Sequence, residues 1–292
     1  MEDGSTTLHV RRPSRLAGVV DHLWHSAGVI ADRRERVLPN GTFELVLALG
    51  DRHSVVDREA VRALPAASFG GLRSTPLVLE HPDRCETLGI VLRPAGAYAL
   101  LGRPLSELSE LTLDAHDVVG RMVSELVERC AEIRAAGARF ALVERWLADR
   151  LAHSKAPDPA VAWMAAEIER GGGELRVGVL QKGTGLSRSR VIERFREQIG
   201  TRPKLYARLV RFRHVLDRLH QGDAVLADVA LAAGYYDQTH MNAEFRELAG
   251  LSPTAFVASR YREGSGNTAR EPCLRDDRAG PPAGLLPARR DP

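Results

Sequence analysis

Two stretches of the chain, fifty residues apart, present similar polar groups in the same order. Residues 187–203 and 237–253 begin with Ser187 and Asp237, and both continue to the pattern F-R-E-x-x-G-x-x-P. A side-chain oxygen at the start of a helix accepts hydrogen bonds from backbone amides that lack a helical partner. Hydroxyl, amide and guanidinium groups on the next turns are the groups that bind DNA bases and phosphates. The repeat therefore indicates DNA binding.

In the first copy, helical spacing places Val191, Phe195 and Ile199 on a buried stripe and the polar residues outside it. Ile192 would rest against a thymine methyl group, and Glu193 would accept from cytosine N4. The alternative is structural, with Ile192 in the core and Glu193 paired with Arg190 or Arg196. The predicted DNA-binding residues of this copy are Ser187, Arg188, Ser189, Arg190, Ile192, Glu193 and Arg196.

In the second copy, Met241, Phe245 and Leu248 form the corresponding buried stripe. His240, beside the helix start, is interpreted as structural or as facing phosphate. The predicted DNA-binding residues of this copy are Asp237, Gln238, Thr239, Asn242 and Arg246.

Each copy also has the residues of a helix-turn-helix, whose second helix enters the major groove. A helix over 224–233 would end at Gly234, which tolerates the left-handed backbone that stops a helix. Ala230 is small enough to let two helices cross closely. The predicted structural residues of both copies are Gly185, Phe195, Gly200, Pro203, Ala230, Gly234, Phe245, Gly250 and Pro253.

Positive charge is concentrated in the first copy. Residues 176–218 hold twelve Arg and Lys against three Asp and Glu, a net charge of +9, whereas residues 219–262 hold three against five. Phosphate contacts give affinity and base contacts give specificity. We therefore predict that the first copy supplies most of the phosphate affinity, and that Gln238, Thr239 and Asn242 discriminate bases.

The two copies together resemble the C-terminal domain of AraC/XylS-type transcriptional regulators. The resemblance covers about 158–258 and rests on ALAAGYYDQTHMNAEFRELAGLSP (230–253) and GLSRSRVIERFREQIGTRPKLYARLVRFRHVL (185–216). It implies two helix-turn-helix units joined by a long helix, with two recognition helices in successive major grooves. It also implies base-facing roles for Ser189, Ile192, Glu193, Gln238, Thr239, Asn242 and Ala243. The family usually has Ala where Gln181 stands, and often has Arg where Glu193 and Ala243 stand.

The N-terminal third shows the pattern of short strands. Residues 42–49 are mostly apolar between turn-forming residues, and similar pieces recur at 54–56, 67–69, 76–79 and 87–92. Residues 115–153 have helical periodicity, with a break at Gly137. LPNGTFELVLALGD (38–51) and GIVLRPAGAYALLGRPLSELSELTLDAHDVVG (89–120) resemble the N-terminal domain of one subgroup of these regulators, which implies a sensor or dimerisation role.

We therefore predict an α+β protein, with a β-rich, cupin-like or related N-terminal domain followed by an all-α domain with two helix-turn-helix units. The predicted segments are a disordered N-terminus (1–15), a β-rich regulatory domain (16–112), a helical connector (113–156), the DNA-binding domain (157–260) and a disordered tail (261–292).

The residues that most enzymes and metal sites need are scattered. Cys85, Cys130 and Cys273 lie far apart, and His22 and His25 flank Trp24, where packing or surface roles are favoured over metal binding. There is no G-x-S-x-G motif and no Gly-rich phosphate loop. We expect no catalytic residues, no metal, no cofactor and no enzymatic activity. The sequence has neither a secretory signal pattern nor a long apolar run, so we expect a cytoplasmic protein without membrane contact.

The predicted function is that of a sequence-specific transcription regulator bound to double-stranded promoter DNA. Further partners would be a small-molecule effector, a second copy of the chain and, for an activator, RNA polymerase. Two alternatives stay open. One is an effector-independent DNA-binding protein whose N-terminal domain only dimerises, and the other is a small-molecule enzyme fused to a DNA-binding domain.

Overall fold

A computed structural model describes residues 6–30, 33–57, 60–154, 156–221, 225–258 and 268–270. Most strands precede residue 93, and the chain is largely helical after it. The strands are β1 (Thr7–Arg11), β2 (Val20–Val29), β3 (Arg34–Val37), β4 (Phe43–Ala48), β5 (Ser54–Asp57), β6 (Ala60–Ala63), β7 (Ala67–Gly70), β8 (Leu77–Glu80), β9 (Arg84–Leu92), β10 (Thr112–Asp114) and β11 (Thr268–Arg270). The helices are α1 (Pro94–Leu101), α2 (Ala115–Val119), α3 (Met122–Glu132), α4 (Ala136–Leu151), α5 (Pro159–Arg170), α6 (Val177–Thr184), α7 (Arg188–Ile199), α8 (Pro203–His220), α9 (Leu226–Ala232), α10 (Gln238–Ala249) and α11 (Pro253–Ala258).

The strands form two antiparallel sheets. The first has the order β1-β2-β9-β4-β7-β10, and the second has the order β11-β3-β8-β5-β6. In β4, Phe43, Leu45 and Leu47 are fully buried and alternate with less buried residues, as a strand with one core-facing side requires. The predicted β-rich N-terminal region followed by a helical C-terminal domain is thus confirmed.

The disorder predicted for residues 1–15 is wrong for β1, which pairs with β2 from Thr7 opposite Ala27 to Arg11 opposite Leu23. Its side chains are mostly exposed, so backbone hydrogen bonds rather than apolar burial hold this edge strand. The sequence therefore lacks the alternation that identifies a strand. In the predicted disordered tail, β11 pairs with β3, and the remainder of residues 259–292 lies outside the described residues.

The helices after the sheets also differ from the prediction in one respect. The break expected at Gly137 lies instead between α3 and α4, where Ile133 has extended backbone angles. Gly137 is inside the first turn of α4, where backbone amides have no helical partner to lose, so a glycine there costs little.

The central helix α8 packs against α7 and α10, which are the second helices of the two helix-turn-helix copies. Near its start, the Tyr206 ring lies 5.6 Å from the Phe195 ring of α7. Six residues later, the Phe212 ring lies 5.0 Å from the Phe245 ring of α10. All four rings are almost completely buried, so α7 and α10 share one apolar support.

A buried ionic cluster attaches α10 to α8 at a second point. Glu244 is 7% exposed, and it accepts hydrogen bonds from Arg208 Nε (2.9 Å), Arg211 Nη2 (3.2 Å) and the Tyr235 hydroxyl (2.7 Å). Burial raises the pKa of Tyr235, so its hydroxyl stays protonated and donates to Glu244. The exposed Glu247 also accepts from Arg208. Because a buried carboxylate is stable only with such partners, the cluster limits rotation of α10 about its axis.

No helix in the described ranges is both long enough and apolar enough to cross a membrane.

The two glycines around α7 provide a matched pair of substitutions. Both have left-handed backbones, but a Cβ at Gly185 would meet nothing within 4 Å, whereas one at Gly200 would lie 2.9 Å from Phe43 Cζ. We expect Gly185→Ala to lower the free energy of unfolding by about 1–2 kcal/mol, the cost of the backbone alone. Gly200→Ala should add an overpacking cost of about 1–3 kcal/mol. Urea denaturation of both variants measures the difference, and equal losses would contradict the packing of Gly200.

A second pair of variants tests the buried cluster. Glu244→Gln removes the charge that faces two guanidinium groups, so we expect a loss of about 3–5 kcal/mol of unfolding free energy. Glu247→Gln is the control, because that side chain is 65% exposed and its ion pair with Arg208 is worth less than about 1 kcal/mol. Similar denaturation midpoints for the two variants would show that Glu244 does not anchor α10.

Candidate nucleic-acid interface

The two 12-residue helices α7 and α10 begin at equivalent capped positions. Ser187 accepts from the Arg190 backbone amide at 3.4 Å, and Asp237 accepts from the His240 amide at 2.7 Å. Both capping residues are exposed. The partial positive charge of a helix N-terminus attracts phosphate, so each helix presents an anion-attracting end to solvent.

On α7, most of the predicted contact residues are accessible. Arg188, Ser189 and Arg196 are exposed, whereas Ile192 is half-buried. Arg190 and Glu193 form an ion pair with each other at 3.3 Å, with both side chains more than 60% exposed. Such a surface pair is weak, so either partner can exchange it for DNA at small cost.

On α10, the predicted contact residues are accessible to different degrees. Thr239, Ala243 and Arg246 are exposed, whereas Gln238 and Asn242 are half-buried. The prediction that Asn242 lies on the outer face is wrong for its amide oxygen. Oδ1 of Asn242 is buried and has no hydrogen-bond partner in the part of the chain that the structure describes. Asn242 precedes the buried Phe245 by three residues and the buried Ala249 by seven, so its side chain borders the buried face of α10.

The predicted structural residues lie where each helix begins, ends or crosses another. Gly185, Gly200, Gly234 and Gly250 all have positive φ angles. Phe195, Phe245 and Ala230 are buried, and Pro203 and Pro253 are the first residues of α8 and α11.

Gln181, which stands where the regulators resembled by the sequence usually have Ala, is half-buried. Two residues later, Gly183 makes the close approach between α6 and α5, because a Cβ there would lie 2.0 Å from the Trp163 ring.

The concentrated positive charge of residues 176–218 is not all available to a ligand. Arg208 and Arg211 bind Glu244, and Arg194 binds Asp158 at 2.8 Å. The basic residues that remain exposed to solvent are Arg176, Lys182, Arg188, Arg190, Arg196, Arg202, Lys204 and Arg218. Phosphate binding by this region therefore depends on fewer cations than the sequence counts.

Sequence reasoning missed Glu244, which is central to the position of α10. A signal was present, because Glu244 is three residues beyond Met241 and four before Leu248, on the buried face of α10. Its counterpart in the first copy is Arg194, which forms an ion pair with Asp158, the residue that caps α5. Both copies therefore have an ion pair at this position, but the residue is a cation in the first copy and a carboxylate in the second.

The cysteines and the His22/His25 pair, for which packing or surface roles are favoured over metal binding, have the following environments. Cys85 and Cys130 are buried, and burial raises the pKa of the Cys130 thiol to about 11, so it stays protonated near neutral pH. Cys273 lies outside the described residues. His22 lies 2.9 Å from an Asp21 carboxylate oxygen, and His25 lies 3.1 Å from Glu86. Within the described ranges, no group of three His, Cys, Asp or Glu residues could hold a metal ion.

Two family models match the chain. Residues 180–259 match the helix-turn-helix domain family, and residues 9–114 match a domain of unknown function (DUF6597). A comparison with curated proteins gives no match.

Several solved structures are similar to the chain, among them two that overlap it to different extents. One is ToxT from Vibrio cholerae, at 10% identity over 87% of this chain and 98% of that chain, with a TM-score of 0.48. The other is the C-terminal domain of AraT, a response regulator from Geobacillus stearothermophilus, at 15% identity over 38% of this chain and 93% of that domain, with a TM-score of 0.35.

The family matches cover both parts of the described fold, with capped recognition helices in the second part. The chain carries an AraC-type helix-turn-helix domain over residues 180–259, behind a β-rich N-terminal domain.

Proposed function

We propose that the protein regulates transcription by binding double-stranded promoter DNA, with α7 and α10 in successive major grooves. The observation that carries the proposal is the pair of equal-length helices on one support. Each exposes a capped N-terminal turn, and each packs an aromatic ring against α8.

The two units divide the work of recognition. Exposed cations, including Arg188, Arg190 and Arg196, support phosphate binding by the first unit. The accessible side chains at the start of α10 are a hydroxyl and an amide, Thr239 and Gln238, which suit base edges. The ionic cluster limits the cations of the first unit to the exposed ones, because Glu244 and Glu247 occupy Arg208 and keep that guanidinium from phosphate.

The regulatory part of the proposal assigns signal reception to the β-rich domain. It receives a small-molecule effector or a second copy of the chain, and it passes the signal to the DNA-binding domain. The support is the continuous apolar core that the two domains share, in which residues of β4 and α1 join those of α7 and α8.

Selection of duplexes from a random pool by the full chain is the direct experiment. Recovery of a recurrent sequence with two half-sites supports the proposal, whereas binding without sequence preference contradicts it.

Two substitutions test the division between the units. We expect Arg188→Ala to weaken binding to selected and random duplexes by similar factors and to lower the salt slope by about 1, because one phosphate contact is lost. Gln238→Ala should weaken binding to the selected duplex alone, by about 1–3 kcal/mol for a lost base contact. Fluorescence anisotropy at several salt concentrations measures both effects.

The control is Arg129→Ala, because Arg129 is an exposed arginine of α3, outside the helix-turn-helix copies, whose ion pair is with Glu125 on the same helix. It should bind both duplexes as the unaltered protein does. The division is wrong if the arginine change relaxes base preference while the glutamine change weakens all binding alike.

A further inference from the structure

The β-rich domain touches both recognition helices at the same position of the repeat. Gly200 and Gly250, fifty residues apart, each follow the last residue of a recognition helix, and both have left-handed backbones. At the first, the Ser109 hydroxyl donates to the Gly200 carbonyl at 2.8 Å. At the second, Arg36 Nη1 donates to the Ala249 carbonyl at 3.0 Å. Both recognition helices are therefore held at their C-terminal ends, and their N-terminal ends face solvent.

The contact at α7 is closely packed. A Cβ at Gly200 would lie 2.8 Å from Ser109 Oγ, 2.9 Å from Phe43 Cζ and 3.4 Å from Leu105 Cβ. Helix α7 also packs against α1 and the short 3₁₀ turn at Leu105–Glu107. Because these side-chain atoms fill the space beside Gly200, α7 cannot shift towards them without moving these elements.

Among the described residues, the hydrogen bond that the β-rich domain makes to α10 comes from the Arg36 side chain. The positive guanidinium of Arg36 lies at the negative end of the helix dipole, where a cation is stabilised. A Cβ at Gly250 would lie 2.7 Å from Arg36 Nη1 and 3.6 Å from Pro76 Cγ, so this end of the helix is also closely approached.

The two contacts come from different sheets. Phe43 belongs to β4 of the first sheet, whereas Arg36 belongs to β3 of the second. Inside the domain the sheets are joined by a chain of buried polar side chains. His53 Nε2 lies 2.7 Å from Thr87 Oγ1 of the first sheet, and His81 lies 2.9 Å from both His53 and Glu35. Glu35 precedes Arg36 in β3, so the polar chain ends beside the contact with α10.

We propose that Arg36 and Ser109 are positioning residues for DNA recognition, because Ser109, three residues before β10 of the first sheet, holds α7, whereas Arg36 in β3 of the second sheet holds α10. The relative position of the sheets then sets the distance between α7 and α10, and thereby the spacing of the two DNA half-sites that the protein accepts. The effect on half-site spacing rests on the proposed function. The effect on the distance between α7 and α10 does not, because that distance is a property of the protein alone.

The helix distance is measured first, without DNA. Spin labels are attached to Ser189→Cys and Thr239→Cys in a protein with Cys273→Ser, since Cys85 and Cys130 are buried. The distribution of distances between the labels is recorded by pulsed electron paramagnetic resonance. Arg36→Ala should broaden this distribution. Arg34→Ala is the matched control on the same strand, because Arg34 bonds to Glu80 within its own sheet, and it should leave the distribution unchanged.

The spacing preference is measured next. The half-sites selected by the unaltered protein are placed in duplexes with one base pair added or removed between them. The unaltered protein should prefer one spacing, and Arg36→Ala should reduce that preference by about 5- to 10-fold, as typical coupled sites do. Ser109→Ala should act in the same direction through α7, and it serves as the test if Arg36→Ala does not fold.

The outcomes separate the two proposals. If the unaltered protein selects no sequence, the proposed function fails, and the label distances still decide whether the sheets position the helices. If both variants keep the original distance distribution and spacing preference, Arg36 and Ser109 are not positioning residues.

Discussion

The DNA-binding half of the molecule depends on the aromatic contacts of a single helix. Tyr206 and Phe212 of α8 each pack against one recognition helix, and they are six residues apart, or about 9 Å along the helix axis. Because an α-helix is stiff over this length, these contacts fix the points at which α7 and α10 meet α8, and they leave the orientation of each helix to its other contacts. The ionic cluster and the glycines that end α7 and α10 add further contacts to the arrangement that these two aromatic pairs establish.

Some basic residues of this protein stabilise a buried carboxylate, and others are exposed to solvent. Counting basic residues along the sequence does not distinguish the two groups. Arg208 and Arg211 add to the basic character of the first copy, yet both point to the second copy, where they stabilise the buried Glu244. A buried carboxylate requires partners of this kind, whereas phosphate binding requires cations that solvent can reach. The ionic cluster therefore explains how the second unit can be acidic in composition while its carboxylates are neutralised by its neighbours.

Sequence patterns predicted the features that depend on neighbours along the chain. The buried stripe of α10 follows from the spacing of Met241, Phe245 and Leu248, and its start follows from Asp237. The same reasoning failed where backbone pairing or one polar partner decides the outcome. Strand β1 has few buried side chains to give it a pattern. Gln198, on α7, is buried because its side chain accepts from the Asp158 backbone amide, which its position in the repeat does not indicate.

The sequence by itself determined that two helix-turn-helix copies exist and where their helices begin and end. Capping oxygens, left-handed glycines and apolar stripes act over a few residues, so a linear reading detects them. Only the tertiary structure decided which cations are exposed, that Glu244 is buried, and that the β-rich domain holds both recognition helices. The bond from Arg36 to Ala249 joins residues 213 positions apart. No local propensity encodes such a pair, because it forms only after two sheets and two helix pairs have packed against each other.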